Sequence, residues 1–435
     1  MSVINQGFES VVSINGDAKY KSIVEAINAG NKSIYVRNGV YIEPSDIIIP
    51  EGGQLVGESF GSVYIVGKSV KIDGNNGVYE SSGTISINNG STLVTGVGTT
   101  FTNLSAGQYI SVANNFMEID TVTNDTTLNL KVSYRGKNIS GNTYLAQTMY
   151  NGIRIKNFIV ANSPAEGVFV RGVKQSSISN IACVECTGSG FKFSEMGDCV
   201  INTLVATNGI SHGIEVINSV DLLLDVCNVY NNSGIGIKVG GTSNFISVSR
   251  ATCTCNSSYG IHITDTSTEV ILLNSYSKLN NADGMKTDST TSDITFTGCI
   301  CTDNNGNGIL IDSPNSVIVS NISRKNSANG IRTNSNSMID NNNCTDNGGD
   351  GIHTTGDNTS IVSNTSSNNT TNGVCIEGKN CSITGNISTS NSTGINLSNT
   401  SNRNNIVSNQ STNNILSNIS DAGTNNTQTN NVVDT

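Results

Sequence analysis

Long apolar runs are missing from this 435-residue sequence. No segment approaches the roughly 18 apolar residues that a membrane-spanning helix requires. The first six residues, Met1 to Gln6, contain neither the basic region nor the apolar core of a secretory signal. We therefore expect no insertion into a membrane, and we expect the newly made protein to remain in the cytoplasm of the cell that makes it.

Charged residues are scarce, at 13 % of the chain, and the formal net charge is −10. A nucleic-acid-binding protein needs a basic surface, so this charge balance argues against that class of function. Glycine, asparagine, serine and threonine dominate, and such a composition can indicate disorder. The regular apolar positions described below argue against disorder here.

The eleven cysteines form no metal-binding pattern. Cys183 and Cys186 make one C-x-x-C pair, but no second pair accompanies it, so we predict no zinc site and no other cofactor. Because the count is odd and no secretory signal is visible, we predict reduced thiols in the core rather than disulfides. Five of them share one position of the repeat described next: Cys183, Cys227, Cys253, Cys301 and Cys344.

A short motif, Gly followed by an apolar residue, a variable residue and an apolar residue or Thr, recurs through the chain. Gly260-Ile261-His262-Ile263 is its clearest copy. Twelve copies begin at glycines 152, 167, 190, 213, 234, 260, 284, 308, 330, 351, 373 and 394, with a mean spacing of 22 residues. A fixed period of this size indicates a repeat architecture.

Each copy predicts a short strand, because alternate residues of a strand point to opposite faces. The two apolar positions face inward and the variable middle position faces outward. Repeats of about 22 residues with several strands and little helix favour a parallel β-helix. A leucine-rich repeat has a similar period, but its Leu/Asn consensus is absent. Right-handed winding follows from the usual handedness of parallel crossovers.

Two further columns support this alignment. An asparagine lies four residues before the glycine in six copies, and Asn391 lies one place out of register. Stacked asparagines can hydrogen-bond to the coils above and below, so we predict an asparagine ladder. The column seven residues before the glycine contains Cys, Ser or Ala, which predicts a tightly packed inward position.

The segment Tyr20 to Ala29 has apolar residues at helical spacing and is followed by Gly30, so we predict a helix that caps the first coil. The pattern A-I-N-A-G, S-I-Y-V-R-N-G-V-Y, I-I-I-P-E-G and L-V-G-E over residues 26–58 resembles the start of pectin-lyase-like right-handed β-helix proteins. That superfamily includes pectate lyases, polygalacturonases, mannuronan epimerases and viral tailspikes. The resemblance implies the fold, and its tailspike members imply a virion location and a homotrimer.

The period breaks between about residues 80 and 147, where four segments with strand patterns resemble small β-modules of phage tail proteins. We predict an all-β fold with four parts: 1–80 as cap and first coils, 81–147 as a small inserted β-domain, 148–418 as the main coils, and 419–435 as a polar tail.

The middle position of the motif forms an outward stripe rich in cations. It includes Arg154, Lys192, Arg332 and His353, which we predict, together with Tyr259, to bind a polysaccharide. Lysine and arginine suit the carboxylates of an acidic glycan. With no tryptophan, sugar stacking would depend on tyrosine and phenylalanine, and Phe169, Tyr230 and Tyr259 are candidates. The alternative is a solvated face with varied polar residues.

A catalytic cluster, if the stripe contains one, is predicted at Glu215, His262, Asp283 and Lys286. His262 is placed two coils after Glu215 and one coil before Lys286, and a proton-transfer site needs such neighbours. His262 and His353 are four coils apart, roughly 19 Å at about 4.8 Å per coil, too far to share a proton or a metal.

The catalytic motifs of the resembled families are incomplete. Ser211-His212-Gly213 and Arg154-Ile155-Lys156 match polygalacturonase elements, but in the wrong order and without the paired aspartates. The D-P-H element of mannuronan epimerases is absent. Two hypotheses remain open: a structural or glycan-binding β-helix of the tailspike kind, or a lyase, hydrolase or epimerase acting on an acidic glycan. A compact acid–base cluster on the stripe would favour the second.

Overall fold

The computed structural model describes residues 7–75, 80–112, 115–334 and 336–434. The first six residues, where the sequence shows no secretory signal, lie outside these ranges. The described chain is nearly all β, and its strands form three sheets. No helix among the described residues is long and apolar enough to cross a membrane.

The first sheet contains fourteen parallel strands, most of which begin just after a motif glycine. Thirteen steps of about 4.8 Å give this stack a length of roughly 62 Å. In chain order its strands are Ile47–Ile48, Val70–Asp73, Val168–Arg171, Phe191–Ser194, Ile214–Ile217, Ile237–Gly240, Ile261–Ile263, Met285–Thr287, Ile309–Ile311, Ile331–Thr333, Ile352–Thr354, Asn372–Ile376, Thr393–Leu397 and Ser417–Asp421. We call it the 14-stranded sheet.

The second sheet contains 29 strands, and most coils contribute two of them, joined by a bend. Its strands are Ser10–Val12, Ser33–Val36, Gly39–Tyr41, Gln54–Gly57, Val63–Val66, Tyr150–Asn151, Arg154–Ala161, Val173–Lys174, Ser177–Val184, Gly197–Thr207, Val220–Tyr230, Asn244–Ser249, Thr252–Thr254, Ile271–Leu273, Tyr276–Lys278, Thr295–Thr297, Ile300–Thr302, Ser316–Val319, Ile322–Arg324, Ser337–Asp340, Asn343–Thr345, Ser360–Val362, Thr365–Ser367, Ser382–Thr384, Ile387–Thr389, Asn405–Val407, Gln410–Thr412, Thr427–Thr429 and Val432–Val433.

The bend within each coil depends on a left-handed residue. Asn157, Asn180, Thr203 and Val226 occupy this corner in successive coils, with φ between 54° and 64°. Asparagine tolerates this conformation, whereas a β-branched residue such as Val226 is strained there. The stacked neighbours make the same turn, so pairing above and below enforces it.

A single hydrophobic core fills the coils from Val12 to Ile406. The inward residues of the motif are fully buried, as in Ile261 and Ile263. The motif glycine is required by close packing between coils, because a Cβ on Gly260 would lie 2.5 Å from the carbonyl oxygen of Gly284. All eleven cysteines are free, and ten are buried, the exception being Cys255.

Asparagine ladders connect the coils. The Asn304 backbone N–H donates to Asn326 Oδ1 at 3.1 Å, and the Asn304 side chain donates to the same atom at 3.0 Å. The pattern continues to Asn391, which is therefore in register despite its shifted spacing. A second ladder, which sequence reasoning missed, consists of Asn321, Asn342, Asn364, Asn386, Asn409 and Asn431.

The helix is shorter than predicted and spans Ile23–Asn28. Ser22 caps its first turn by accepting a hydrogen bond from the Glu25 N–H at 3.2 Å, and Gly30 follows its end with φ 89°. Ile23 and Ala26 are fully buried in the same core as the first strands. The helix therefore packs its apolar side against the end of the stack.

The third sheet is antiparallel and has seven strands: Thr84–Ile87, Leu93–Val97, Tyr109–Val112, Asn115–Asn124, Thr127–Leu130, Ile139–Asn142 and Leu145–Gln147. A short 3-10 helix, Phe101–Asn103, accompanies them. The sheet has a separate core that includes Phe101 and Leu128. In the sequence, this sheet is inserted between the strands Val70–Asp73 and Val168–Arg171. In space, these two strands pair directly with each other as consecutive coils.

The coils extend beyond the predicted limit near residue 418. Thr427–Thr429 pairs in parallel with Asn405–Val407, and Val432 pairs with Gln410. The described part of the predicted tail, residues 419–434, therefore continues the ladder, although its strands are exposed. The side chains of Thr427–Thr429 and Val432–Val433 are exposed on both faces.

Candidate functional site

The outward position of the 14-stranded sheet forms one continuous row of side chains, each paired in register with the next. Parallel pairing places neighbouring members about 4.8 Å apart. We call this row the outward column. Its members in chain order are Lys71, Phe169, Lys192, Glu215, Lys238, His262, Lys286, Leu310, Arg332, His353, Cys375 and Asn396.

Lys238 is a member that sequence reasoning missed. Gly234-Ile235-Gly236-Ile237 and Gly236-Ile237-Lys238-Val239 both fit the motif, and the structure uses the second. Lys238 pairs with Glu215 on one side and His262 on the other. Glycine 234 lies 21 residues after one motif glycine and 26 before the next, whereas glycine 236 gives more even spacings of 23 and 24. This difference in spacing could have identified glycine 236 as the motif glycine.

Arg154 does not belong to the outward column. It begins the strand Arg154–Ala161 of the 29-stranded sheet, where it pairs with Gln54 and Ser177. The sequence after Gly152 matches the motif by chance. Its spacing of 15 residues to the next copy, shorter than the mean of 22, indicated that it does not belong to the repeat. The prediction of Arg154 as a member of the same stripe is therefore wrong.

Glu215 lies between two lysines of adjacent coils. Its carboxylate is 3.4 Å from Lys192 Nζ and 3.2 Å from Lys238 Nζ, and its side chain is only 10 % exposed. A carboxylate this buried needs such partners to remain charged. Glu215 therefore holds both lysines against the sheet while part of each ammonium group remains at the surface.

His262 and Lys286 share a carboxylate that sequence reasoning did not select. Asp288 Oδ1 is 3.0 Å from His262 Nε2 and 3.4 Å from Lys286 Nζ. The ring of Tyr259 packs on His262 with centroids 4.7 Å apart, and Lys286 Nζ lies 5.0 Å from the centre of the Tyr259 ring. These four side chains form a compact group, which we call the His262 cluster.

Burial lowers the pKa of His262, and the opposing effect of Asp288 does not fully compensate. Burial also opposes the charged forms of Lys286 and Asp288. The neighbours of Lys286, Tyr259 and Asp288, outweigh this and raise the pKa of Lys286. Hydrogen bonds from Thr264 and His262 lower the pKa of Asp288. At neutral pH the cluster thus contains a cation, an anion and a neutral imidazole.

The imidazole of His262 has no nitrogen free to meet a ligand. Its Nε2 faces Asp288, and its Nδ1 is buried without a hydrogen-bond partner among the described residues. The phenol oxygen of Tyr259 lies 3.5 Å from Lys286 Nζ on a half-buried side chain. Tyr259 and Lys286, rather than His262, therefore hold the polar atoms that could contact a bound molecule.

Asp283 lies in a structural position. Its Oδ1 accepts hydrogen bonds from the backbone N–H of Asn307 at 2.6 Å and from the Asn307 side chain at 2.8 Å. It therefore stacks within a turn ladder, with the same bonding role that Asn307 has toward Asn329. The bonds of its carboxylate given by the structure lead to the next coil and not to His262 or Lys286.

Arg332 and His353 are adjacent members of the column. His353 Nδ1 is 3.0 Å from Asp350 Oδ2, and His353 Nε2 is 3.3 Å from Glu377 Oε1. Four coil steps separate His353 from His262, as predicted. The two histidines therefore belong to separate groups of side chains.

A cleft of about 420 Å³ lies between the seven-stranded sheet and the coils. Its lining includes Phe116, Tyr144, Glu195 and Val220 but no lysine, arginine or histidine. Burial raises the pKa of Glu195. A cleft with one carboxylate and no cation is poorly suited to an acidic ligand, so we place the candidate site on the outward column.

Comparison with known proteins places this geometry in a family. Residues 135–277, 199–337 and 275–411 match the family described as "Right handed beta helix region". These overlapping matches cover more than half of the chain, which therefore belongs to the right-handed β-helix family. The predicted all-β, right-handed parallel β-helix of the pectin-lyase-like superfamily is thereby confirmed.

Solved structures with the same fold include an enzyme and phage tailspikes. The A-module of the mannuronan C-5 epimerase AlgE6 of Azotobacter vinelandii is 12 % identical, with a TM-score of 0.51 over 95 % of this chain and 93 % of that chain. The tailspike gp49 of Pseudomonas phage LKA1 is 13 % identical, with a TM-score of 0.55 over 92 % and 73 %. The tailspike gp61 of Pseudomonas phage phi297 is 11 % identical, with a TM-score of 0.50 over 89 % and 72 %. No curated protein sequence matches this chain.

Proposed function

We propose that this protein binds an acidic polysaccharide along the outward column between Lys192 and Lys286. The observation that carries the proposal is the alternation of Lys192, Lys238 and Lys286 with Glu215 and His262 along consecutive coils. Every second coil offers an ammonium group, so the cations are roughly 9.6 Å apart. That spacing is on the scale of a disaccharide, and lysine ammonium groups bind carboxylates well.

The neighbours support a glycan as the ligand. Structures with this fold include a mannuronan epimerase and two phage tailspikes. We infer a role in attachment to a carbohydrate surface, with the protein carried on a virion in the manner of a tailspike and assembled as a homotrimer. The fold alone does not distinguish an attachment role from an enzymatic one. The chemistry of the site has to distinguish them.

The test is a titration of the purified protein with polymannuronate, polygalacturonate and a neutral dextran. We expect saturable binding of at least one acidic polymer that weakens with added salt, because screening reduces the attraction of exposed charges. Lys238→Ala should weaken this binding about tenfold or more, the cost of one charge-assisted hydrogen bond.

Arg154→Ala provides the matched control. It also removes one exposed cation, but from the 29-stranded sheet. Unchanged binding in Arg154→Ala beside weakened binding in Lys238→Ala would support the outward column as the site. Equal weakening in both variants would mean that the polymer is attracted only by general charge, and the proposal would fail.

A second candidate function is proton transfer at the carbon next to the uronate carboxylate, as in a lyase or epimerase. The His262 cluster favours it, because a phenol oxygen lies beside an ammonium group that can neutralise that carboxylate. Tyr259 would accept or donate the proton, and Lys286 would stabilise the negative charge that develops. Asp288 and His262 would position Lys286 and the Tyr259 ring.

Turnover is measured in D₂O with the same acidic polymers, by deuterium incorporation and by the appearance of unsaturated ends. Exchange that is lost in Tyr259→Phe but retained in the exposed control Tyr230→Phe would establish the enzymatic role. Binding by the wild-type protein without exchange or new ends would exclude it and leave the attachment role.

A further inference from the structure

Cys375 is a buried thiol in an unusual place. Five cysteines occupy the inward small-residue column, and they include the fully buried Cys253 and Cys344. Cys375 instead occupies the outward column, where it pairs in register with His353. It is only 5 % exposed. The coils therefore place a thiol and an imidazole side by side on the outer face of the sheet.

Two carboxylates complete this group. Asp350 Oδ2 lies 3.0 Å from His353 Nδ1, and Glu377 Oε1 lies 3.3 Å from His353 Nε2. Donor atoms of Asp350, His353 and Cys375 all lie within 4.8 Å of one another. In the part of the chain that the structure describes, these three residues are the single set of at least three potential metal ligands with such close donors.

The polar atoms of the group are incompletely bonded without a ligand. His353 Nε2 is buried, and its approach to Glu377 lacks the alignment of a hydrogen bond. Cys375 Sγ receives one long contact, from Asn396 Nδ2 at 3.7 Å. A metal ion on His353 Nδ1 would bind Asp350, His353 and Cys375 together, and it would leave the ring proton on Nε2, where Glu377 lies.

We propose that Asp350, His353 and Cys375 bind a thiophilic divalent cation, best represented by Zn²⁺, through His353 Nδ1, with Glu377 facing the other ring nitrogen. The set of sulfur, imidazole nitrogen and carboxylate oxygen is one that Zn²⁺ prefers and that Ca²⁺ or Mg²⁺ does not. Binding exchanges the thiol proton for the metal and releases that proton to solvent. The ion is distinct from the glycan site, whose nearest member, Lys286, lies three coil steps from His353.

The geometry requires only a small adjustment. Zn–N and Zn–S bonds of about 2.0 and 2.3 Å put the donors of a tetrahedral site roughly 3.5 Å apart. Donors up to 4.8 Å apart must therefore come closer by about 1.3 Å, which side-chain rotation can supply. Arg332 on the preceding coil opposes a cation, but a thiolate and two carboxylates outweigh its single charge.

The experiment titrates the full-length, metal-stripped protein with Co²⁺ and then displaces Co²⁺ with Zn²⁺. Co²⁺ bound to a thiolate gives an intense charge-transfer absorption, so this band reports Cys375 directly. We expect one equivalent of Co²⁺ to produce the band and Zn²⁺ to abolish it. Cys375→Ser should remove the band, and Asp350→Asn should weaken binding by more than the roughly 10- to 100-fold that loss of an outer partner costs.

Two matched variants control for misfolding and for binding of Co²⁺ to an exposed thiol. Asp283→Asn changes a carboxylate that accepts equivalent ladder hydrogen bonds but lies outside the group of Asp350, His353 and Cys375. Cys255→Ser removes the exposed thiol. Both should bind Co²⁺ like the wild-type protein. Absence of the charge-transfer band in the wild-type protein, or its persistence in Cys375→Ser, would overturn the proposal without bearing on glycan binding.

Discussion

His262 and His353 occupy the same position of the repeat, four coils apart, in different surroundings. His262 has lysines on both neighbouring coils, and its Nε2 faces Asp288, whose side chain is 31 % exposed. His353 lies between Arg332 and Cys375, and its Nδ1 faces Asp350, whose side chain is 9 % exposed. His262 thus lies between cations and faces a partly exposed carboxylate, whereas His353 faces a buried one.

The difference originates in where each aspartate is attached. Asp288 immediately follows the strand Met285–Thr287 and extends from the outer face. Asp350 precedes the glycine of its coil, in the turn ladder that also contains Asn329 and Asn372. The same backbone geometry therefore supports a partly exposed ion-pair group around Asp288 in one coil and the group around the buried Asp350 in another. The residue types at two or three positions determine which group forms.

The largest expected difference concerns stability. Asp350→Ala removes an acceptor for the Asn372 backbone N–H at 2.9 Å and its side chain at 2.7 Å, and for Thr371. A buried donor left without a partner costs about 1–3 kcal/mol, and because these three hydrogen bonds are only partly buried we expect a loss of about 2–4 kcal/mol.

Asp288→Ala should cost about 1 kcal/mol or less, because the Asp288 side chain is 31 % exposed and an ion pair so open to solvent contributes little. Urea unfolding, with hydrogen exchange of the Asn372 amide, measures both variants. Asp350→Asn, which supplies the residue found at other rungs of this ladder, is the control and should recover most of the loss. Similar costs for the two alanine variants would contradict the contrast between the buried and exposed aspartates.

A smaller effect is expected on polysaccharide binding. Asp288→Asn removes a negative charge 3.4 Å from Lys286 Nζ, so that lysine becomes more available to a polyanion. The exposed pair is worth about 0.2–1 kcal/mol, which corresponds to a gain in affinity of about two- to fivefold. The measurement is the same titration with an acidic polymer.

Asp350→Asn is the matched control for this measurement. Its coil lies three steps, roughly 14 Å, from the coil of Lys286, beyond the Debye length of about 10 Å at 0.1 M salt. We therefore expect no change in polymer affinity. An equal gain in both variants would show that net charge, and not position on the column, controls binding.

The fold was predictable because the apolar positions that close the core recur in every coil. Ile261 and Ile263 face inward as the two-residue period requires, and they are fully buried. The register was harder to predict where the composition is ambiguous. Gly234 and Gly236 both fit the motif, and choosing Gly234 left Lys238 out of the outward column. The sequence after Gly152 also fits the motif, but it forms a strand of the 29-stranded sheet.

The candidate site was only partly predictable because its contacts cross coils. His262 and Lys286 meet as expected from the period, but their shared partner Asp288 lies in the loop after the strand, about which the spacing of the motif gives no information. Asp283 precedes a motif glycine, so sequence position alone could not separate a ladder residue from a reactive one. The group around Cys375 requires knowing which face each residue occupies.

The smallest effect is a dependence of stability on pH. Burial lowers the pKa of His262 below the value of about 6.5 that a histidine has in the unfolded chain. At a pH between the folded and unfolded pKa values of His262, the unfolded chain binds more protons than the folded chain. The contribution of His262 to the free energy of unfolding is therefore fully present above about pH 6.5 and is lost as the pH falls.

His262→Gln should reduce this loss of stability between about pH 7.5 and pH 5. A remainder is expected from His212, whose pKa burial also lowers. Asp288 has a lowered pKa, so its contribution is lost only below about pH 4 and does not overlap this window. Urea midpoints of both proteins across that range provide the measurement, and an unchanged slope in His262→Gln would mean that the folded His262 accepts a proton as easily as the unfolded one.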